Sequence, residues 1–328
     1  MNVKIDFPQD FLMSETECGY VVTEEMKKIR LVQLELLCEL KRVCRKYGLT
    51  YYADSGTLIG AVRHQGYIPW DDDIDVVMKR KDYSTLLRVA SEEFRYPFFL
   101  QTTYNDVNYV RGHAQLRNSV TAGYSAKEEG KPYNRGIFID IFPLDNIADN
   151  KLLFKIQKIR SRYLFTLMEL GINHNDRRYV KKNNRKRYVA AQAMHFFFKI
   201  YDYRKMYRHF ERVCSKYNDR PTENLGCISY SFGKYVWKSS WYDKSHEVPF
   251  EFTTINIPDG YDGRLRSEYG DYMEIKNLPS DHGRLVLSAD LPYNDYRLAK
   301  KTGSRNGGSN EIRLSDSGSR TLRSRVRK

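Results

Sequence analysis

The chain has 328 residues, 41% of them hydrophobic and 29% charged, with a formal net charge of +14. This length fits one large domain or two modest ones, and the near-ordinary composition excludes a disordered or fibrous chain. A mean hydropathy of −0.66, with no apolar run close to the roughly 18 residues of a membrane span, excludes an integral helical membrane protein.

Asp6 and Asp10 lie too close to Met1 for the charged-then-apolar layout of a signal peptide, so a cytoplasmic protein is expected. From Val22 to Tyr47, Ile29, Val32, Leu36, Leu40 and Val43 recur at helical spacing, with Thr23 as N-cap, Glu24 and Glu25 in the first turn and Gly48 as C-cap. Leu49 to Ala53 reads as a short strand, Ser55-Gly56-Thr57 as a turn, and Leu58 to His64 as a short helix closed by Gly66. The next strand, Asp73-Ile74-Asp75-Val76-Val77, places Asp73 and Asp75 on one face by the period-two alternation of strands. Lys81 to Ala90 reads as a helix, and Phe98 to Gln101 and Tyr109 to Leu116 as strands. Gly136 to Phe142 is an apolar strand with a single acid, Asp140. This interspersion predicts an α+β fold, a mixed sheet flanked by helices.

The charge is unevenly distributed. Residues 1–150 carry −3 and residues 221–296 carry −5, whereas residues 151–220 carry +14 and the tail 297–328 carries +8. The expected organisation is a catalytic core over 1–150, a basic helical insertion over 151–220, the remainder of the core over 221–296, and a tail over 297–328. In 221–296, Glu247 to Ile257 alternates like a strand and Tyr261 to Tyr269 reads as a helix capped by Gly270. The tail is rich in Gly, Ser and Arg and is expected to be disordered. Cys18, Cys38, Cys44, Cys214 and Cys227 form no CxxC pair, which indicates reduced, mostly packing thiols rather than a disulfide framework or zinc cluster.

Four acids within five positions, Asp71, Asp72, Asp73 and Asp75, repel one another unless cations or solvent compensate. An exposed acidic turn is the plain alternative; the strand that begins inside the run argues for convergence at a sheet end. Oxygen-only ligands of this kind suit Mg²⁺, and Asp140, costly to bury unpaired in its apolar strand, is the candidate third carboxylate. An Asp paired with an Arg, or capping a loop at the strand's end, explains Asp140 equally well.

A Gly-Thr turn opening a helix, then Asp-x-Asp on one strand and a single Asp on a later one, resembles the nucleotidyltransferase superfamily related to DNA polymerase β. More closely, GTLIGAVRHQGYIPWDDDIDVVM, GIFIDIFPLD at Gly136 to Asp145 and YGDYM at Tyr269 to Met273 resemble, in order, the LicD family, relatives of fukutin-related protein. The resemblance covers residues 51–145 and about 250–280 and leaves the basic insertion and the tail unmatched. After YGDYM the chain departs from the family pattern over Lys276 to Arg284, which puts roles for His282 and Arg284 in doubt. Val77 also stands where a small residue is frequent.

The resemblance implies a transferase that moves a phosphorylated small alcohol such as phosphocholine from a CDP-linked donor to a hydroxyl of a cell-surface glycan or lipid-linked glycan. It implies that Asp73 and Asp75 hold Mg²⁺ (or Mn²⁺), flanked by Asp71, and that Asp140 completes the metal site or takes the acceptor's proton. Gly56 allows close approach of a phosphate and Thr57 adds a hydroxyl and a helix N-terminus. Arg63, His64 and Arg117 are further donor-binding candidates; a surface Arg and a helix-terminal His are the plain readings of the first two. Trp70 is expected to pin its loop. For the basic insertion, a solvated face over an aromatic core is the default, an anionic membrane surface comes second, and nucleic acid is not expected. Two other functional readings stay open: nucleotide transfer with release of pyrophosphate, and a non-catalytic basic adaptor.

Overall fold

The computed structural model describes residues 3–176, 184–275 and 285–295. The departures at Lys276 to Arg284 and the tail from Arg297 lie outside the described residues. A hairpin of β1 (Glu15–Glu17) and β2 (Tyr20–Val22) leads into α1 (Glu24–Tyr47). Thr23 Oγ1 accepts from the Met26 N–H, and Gly48 at φ +62° ends the helix with its N–H on Cys44 O, the two caps expected from sequence. Leu31, Leu34, Leu36, Leu37 and Leu40 are fully buried.

The chain continues through β3 (Tyr52–Ala53), α2 (Ser55–Arg63), β4 (Asp75–Lys79), α3 (Arg80–Glu93), β5 (Phe98–Gln101), β6 (Ala114–Asn118), β7 (Ala122–Ser125) and β8 (Ile137–Asn146). β8 is the centre of a mixed sheet. It runs parallel to β4, with Asp75 opposite Asp140, and antiparallel to β6, with Gln115 opposite Asp140. Val76, Met78, Ile139 and Ile141 point into the main core with α1 and α3, while Val77, Phe142 and Leu144 point to the other face, against Trp237 and Tyr242. By the same alternation Asp75 and Asp140 leave the sheet on the face away from α1. β4 begins at Asp75, so Asp73, expected inside the strand, stands just before it.

The insertion is helical, as expected, and comprises α4 (Lys151–Ile172), α5 (Arg185–Ile200) and α6 (Tyr203–Cys214). Asn150, Asn184 and Asp202 cap their N-termini with side-chain oxygens. The chain then returns as β9 (Asn224–Gly226) and pairs back on the end of β8, with Leu225 opposite Asn146. The two ends of the insertion are therefore neighbours. Arg80 joins the insertion to the sheet: it donates to both carboxylate oxygens of Asp145 at 2.7 and 2.6 Å and to Glu211 of α6 at 3.1 Å.

A short α7 (Ile228–Ser231) and β10 (Trp237–Lys238) follow. The segment expected as one strand from Glu247 to Ile257 is a hairpin, β11 (Ser245–Phe250) with β12 (Thr253–Pro258), turned at Glu251 with φ +53°. α8 (Tyr261–Tyr269) ends at Gly270 as expected, and β13 (Leu285–Ser288) pairs with β7. Cys18 is exposed in the β1–β2 turn, so it does not share the packing role of buried Cys44, Cys214 and Cys227.

Candidate active site

Three carboxylates converge where β4 and β8 begin to run side by side. One oxygen from each of Asp73, Asp75 and Asp140 lies within 4.8 Å of the others, and Asp71, Asp72 and Asp73 form a second such group that shares Asp73. Asp71 thus flanks the three acids through Asp73 and stands outside their immediate group. The backbone explains the convergence. Ile74 O accepts from the Asp140 N–H at 2.9 Å and Asp75 O from the Asp54 N–H at 3.0 Å, so the start of β4 is fixed on both sides. The acidic loop is held from behind by α1: buried Arg30 donates to the carbonyls of Ile68, Pro69 and Asp71, and Gln33 donates to that of Asp72. Trp70 meets Tyr20 edge-on at 6.4 Å, a packing contact that pins the loop.

Asp140 is the best supported of the three. Its Oδ1 accepts from Gln115 Nε2 at 2.7 Å and contacts His113 Nε2 at 3.0 Å. Burial pushes its carboxyl up, but His113, Arg111 and Gln115 outweigh that and hold it below the usual carboxylate range. Asp75 goes the other way, raised well above that range by burial and then by the charges of Asp73, Asp140 and Asp71. Burial lowers His113, against the pull of Asp140. A compact set of hard oxygen donors whose mutual repulsion raises one member's carboxyl is the electrostatic condition a divalent cation relieves, so the residues present fit Mg²⁺. Tyr230 on α7 stands at the rim, 55% exposed, with its ring 4.8 Å from Phe142 and 5.4 Å from His113. Its hydroxyl is raised by burial and by Asp140 and Asp75.

Residues 48–167 match the family model described as the LicD/FKTN/FKRP nucleotidyltransferase domain. The lipopolysaccharide cholinephosphotransferase LicD of Haemophilus influenzae is 28% identical over 264 residues, 76% of this chain and 94% of that protein. Over these residues the chain is similar to proteins of the LicD family. Shorter similarities link it to two uncharacterized proteins, one of Rickettsia prowazekii (34% identical, 25% of this chain and 34% of that protein) and one of Rickettsia typhi (43% identical, 21% and 22%).

The donor-side residues suggested by the LicD resemblance are dispersed. Gly56, in the first turn of α2, lies against Asp71, and a Cβ there would run into Asp71 Oδ2. Gly56→Ala is therefore expected to displace Asp71 while costing less than about 1 kcal/mol, because the obstructing atom ends a movable side chain. A titration with Mg²⁺ should show weaker binding beside a nearly unchanged melting curve. Thr57 is buried, and its Oγ1 accepts from the Asp75 N–H at 2.9 Å; in this structure the hydroxyl fastens α2 to β4 rather than facing a ligand. Arg63 and His64 sit at the far end of α2, roughly 12 Å along the helix axis from Ser55. Arg63 donates to the carbonyls of Tyr272 and Glu274, and His64 Nδ1 meets Glu17 at 2.8 Å, so the structure does not bring them to the acids.

Arg117 corrects the sequence reading most clearly. Its side chain is fully buried, donating to Gln101, Gln115 and the carbonyls of Gly123 and Gly136 and lying 4.7 Å over the Phe138 ring. It has no face for a phosphate; it orients Gln115, which in turn holds Asp140. The cation the sequence reading missed is Arg111, 36% exposed and bonded to Glu128 at 2.9 Å.

Proposed function

We propose that this chain transfers a phosphorylated small alcohol, phosphocholine or a close analogue, from a CDP-linked donor to a hydroxyl of a cell-surface glycan or lipid-linked glycan, releasing CMP. The observation that carries the reading is the convergence of Asp73, Asp75 and Asp140 where two parallel strands begin to pair, supported by the similarity to a LicD cholinephosphotransferase.

Asp73, Asp75 and Asp140 would hold Mg²⁺ (or Mn²⁺), with Asp71 beside them. When bound, the ion neutralises charge on the donor pyrophosphate and on the attacking and leaving oxygens. Gly56 leaves room at the start of α2 for the Asp71 carboxylate, and Arg111, whose charge is felt at Asp140, would meet the donor's remaining negative charge. The acceptor oxygen attacks the phosphorus that carries the alcohol, and the bond from that phosphorus to the bridging oxygen breaks. CMP leaves with the electron pair. The acceptor's proton passes to the carboxylate of Asp140, which His113 and Gln115 hold in its ionised form.

Phosphorus NMR of the purified protein with Mg²⁺ and, in turn, CDP-choline, CDP-ethanolamine, CDP-glycerol, CDP-ribitol and CTP tests this. CMP released from one CDP-linked donor supports the reading and names the donor. Pyrophosphate from CTP would replace it with nucleotide transfer, and no consumption even with crude envelope glycolipid would favour a non-catalytic adaptor.

A further inference from the structure

Helix α4 exposes Leu152, Ile156, Ile159 and Tyr163, between 42% and 66% accessible. Their spacing of i, i+4, i+7 and i+11 draws one line along the helix. Gln157, Ser161 and Met168 on the opposite side are buried, so the line faces outward. Helix α5 repeats the pattern with Val189, Ala193, Phe196 and Ile200, the last 82% exposed, while Ala191 on its other side is buried.

The two lines face the same way. Leu170 lies on the α4 line about five turns beyond Leu152, and there it is buried against Ala191 of α5. α5 therefore covers the outer face of α4 in its second half, and its own exposed line lies on the side away from α4. α4 carries five cations and one acid, Glu169, and α5 carries four cations and no acid. Lys151, Lys155, Lys158 and Arg162 flank the α4 line and, with Phe154 and Phe232, line a groove of about 380 Å³. No helix among the described residues is long and apolar enough to cross a membrane.

We propose that the outer face of α4 and α5 docks onto the surface of an anionic bilayer. The apolar lines sink into the headgroup and acyl boundary, and the groove cations take lipid phosphates. Continuous apolar lines bordered by positive charge are what such a surface selects, whereas a solvated face would carry polar residues there. The inference extends the proposed function by placing the acceptor on a membrane, and it rests on that reading only for the acceptor.

The test is flotation of the full chain with vesicles of phosphatidylcholine alone or with roughly one-third phosphatidylglycerol, without donor or acceptor. Binding is expected to the anionic vesicles only, to weaken as salt rises from roughly 0.1 to 0.5 M, and to fall about tenfold or more in the Ile159→Asp/Phe196→Asp and Lys155→Glu/Arg162→Glu variants. All four side chains are at the surface, so the variants should fold and keep the wild-type rate of CMP release from a soluble donor. Equal binding by variants and wild type, or no binding to anionic vesicles, would overturn the proposal. So would a stable dimer that Ile159→Asp/Phe196→Asp converts to monomer, because a second copy would then cover this face. Flotation reads docking and CMP release reads transfer, so either can fail without the other.

Discussion

Asp75→Asn is expected to cut donor turnover by about a thousandfold or more and also to raise the thermal stability of the cation-free protein. The first effect follows from losing one of three carboxylates whose oxygens lie within 4.8 Å of one another. The second follows from the direction in which Asp75 is displaced, well above the ordinary range by burial and by the neighbouring charges of Asp73, Asp140 and Asp71. A carboxyl raised in the folded state contributes stability that is present below its unfolded value, near pH 4, and is lost as pH rises through the folded value. At neutral pH the wild-type fold bears that crowding and the amide does not. The gain is read as a higher melting temperature of the cation-free variant at neutral pH. Mg²⁺ should raise the melting temperature of the wild type and have little effect on the variant. Thermal scans with and without Mg²⁺, beside the CMP assay, check both halves; a variant that loses activity and stability together would count against the electrostatic account.

Arg117→Met is expected to destabilise the fold by about 3–5 kcal/mol. The change takes a donor from the side-chain oxygen of Gln101 and from the carbonyls of Gly123 and Gly136 inside the protein, and leaves Gln115 Oε1 only the Tyr109 hydroxyl; each lost partner is costly. Arg111→Ala should raise the donor KM and lower stability by less than Arg117→Met, because buried Glu128 loses its charge partner but keeps the Ser125 N–H and hydroxyl. Denaturant melts and donor saturation curves on the two variants separate these outcomes. A raised KM with an unchanged melt for Arg117→Met would return that residue to the donor site.

The elements that build the site were legible wherever the signal was local. Thr23 and Gly48 bracket α1 because capping chemistry is written into adjacent residues, and alternation put Asp75 and Asp140 on strands. Their pairing follows from β4 and β8 being parallel neighbours, which local pattern only suggests. His113 and Gln115 were passed over although a signal existed: His113, just before β6, alternates with Gln115 and Arg117 within it to make one polar face, and the register of β6 sets Gln115 opposite Asp140. Sequence reading took Arg117, the residue of the three farthest from that acid. Arg30 and Gln33 were also hidden, because their partners are carbonyls 38 to 41 positions away and nothing near them in sequence announces the contact. Arg63 and His64 were read as reaching a ligand from a helix end that the fold points elsewhere.

The return of the chain beside its own departure point has a further consequence. Asn146 and Leu225 are partners across a hydrogen-bonded strand pair, and Ile147 donates to Asn224 O at 3.2 Å. Everything between them is, topologically, one very long hairpin loop. Lengthening such a loop costs little closure entropy, since each doubling adds only about 0.6 kcal/mol. Helices can be gained, lost or exchanged there without shifting the register that opposes Asp75 to Asp140. The fold thus separates the sheet that carries the acids from a loop whose length that sheet does not constrain.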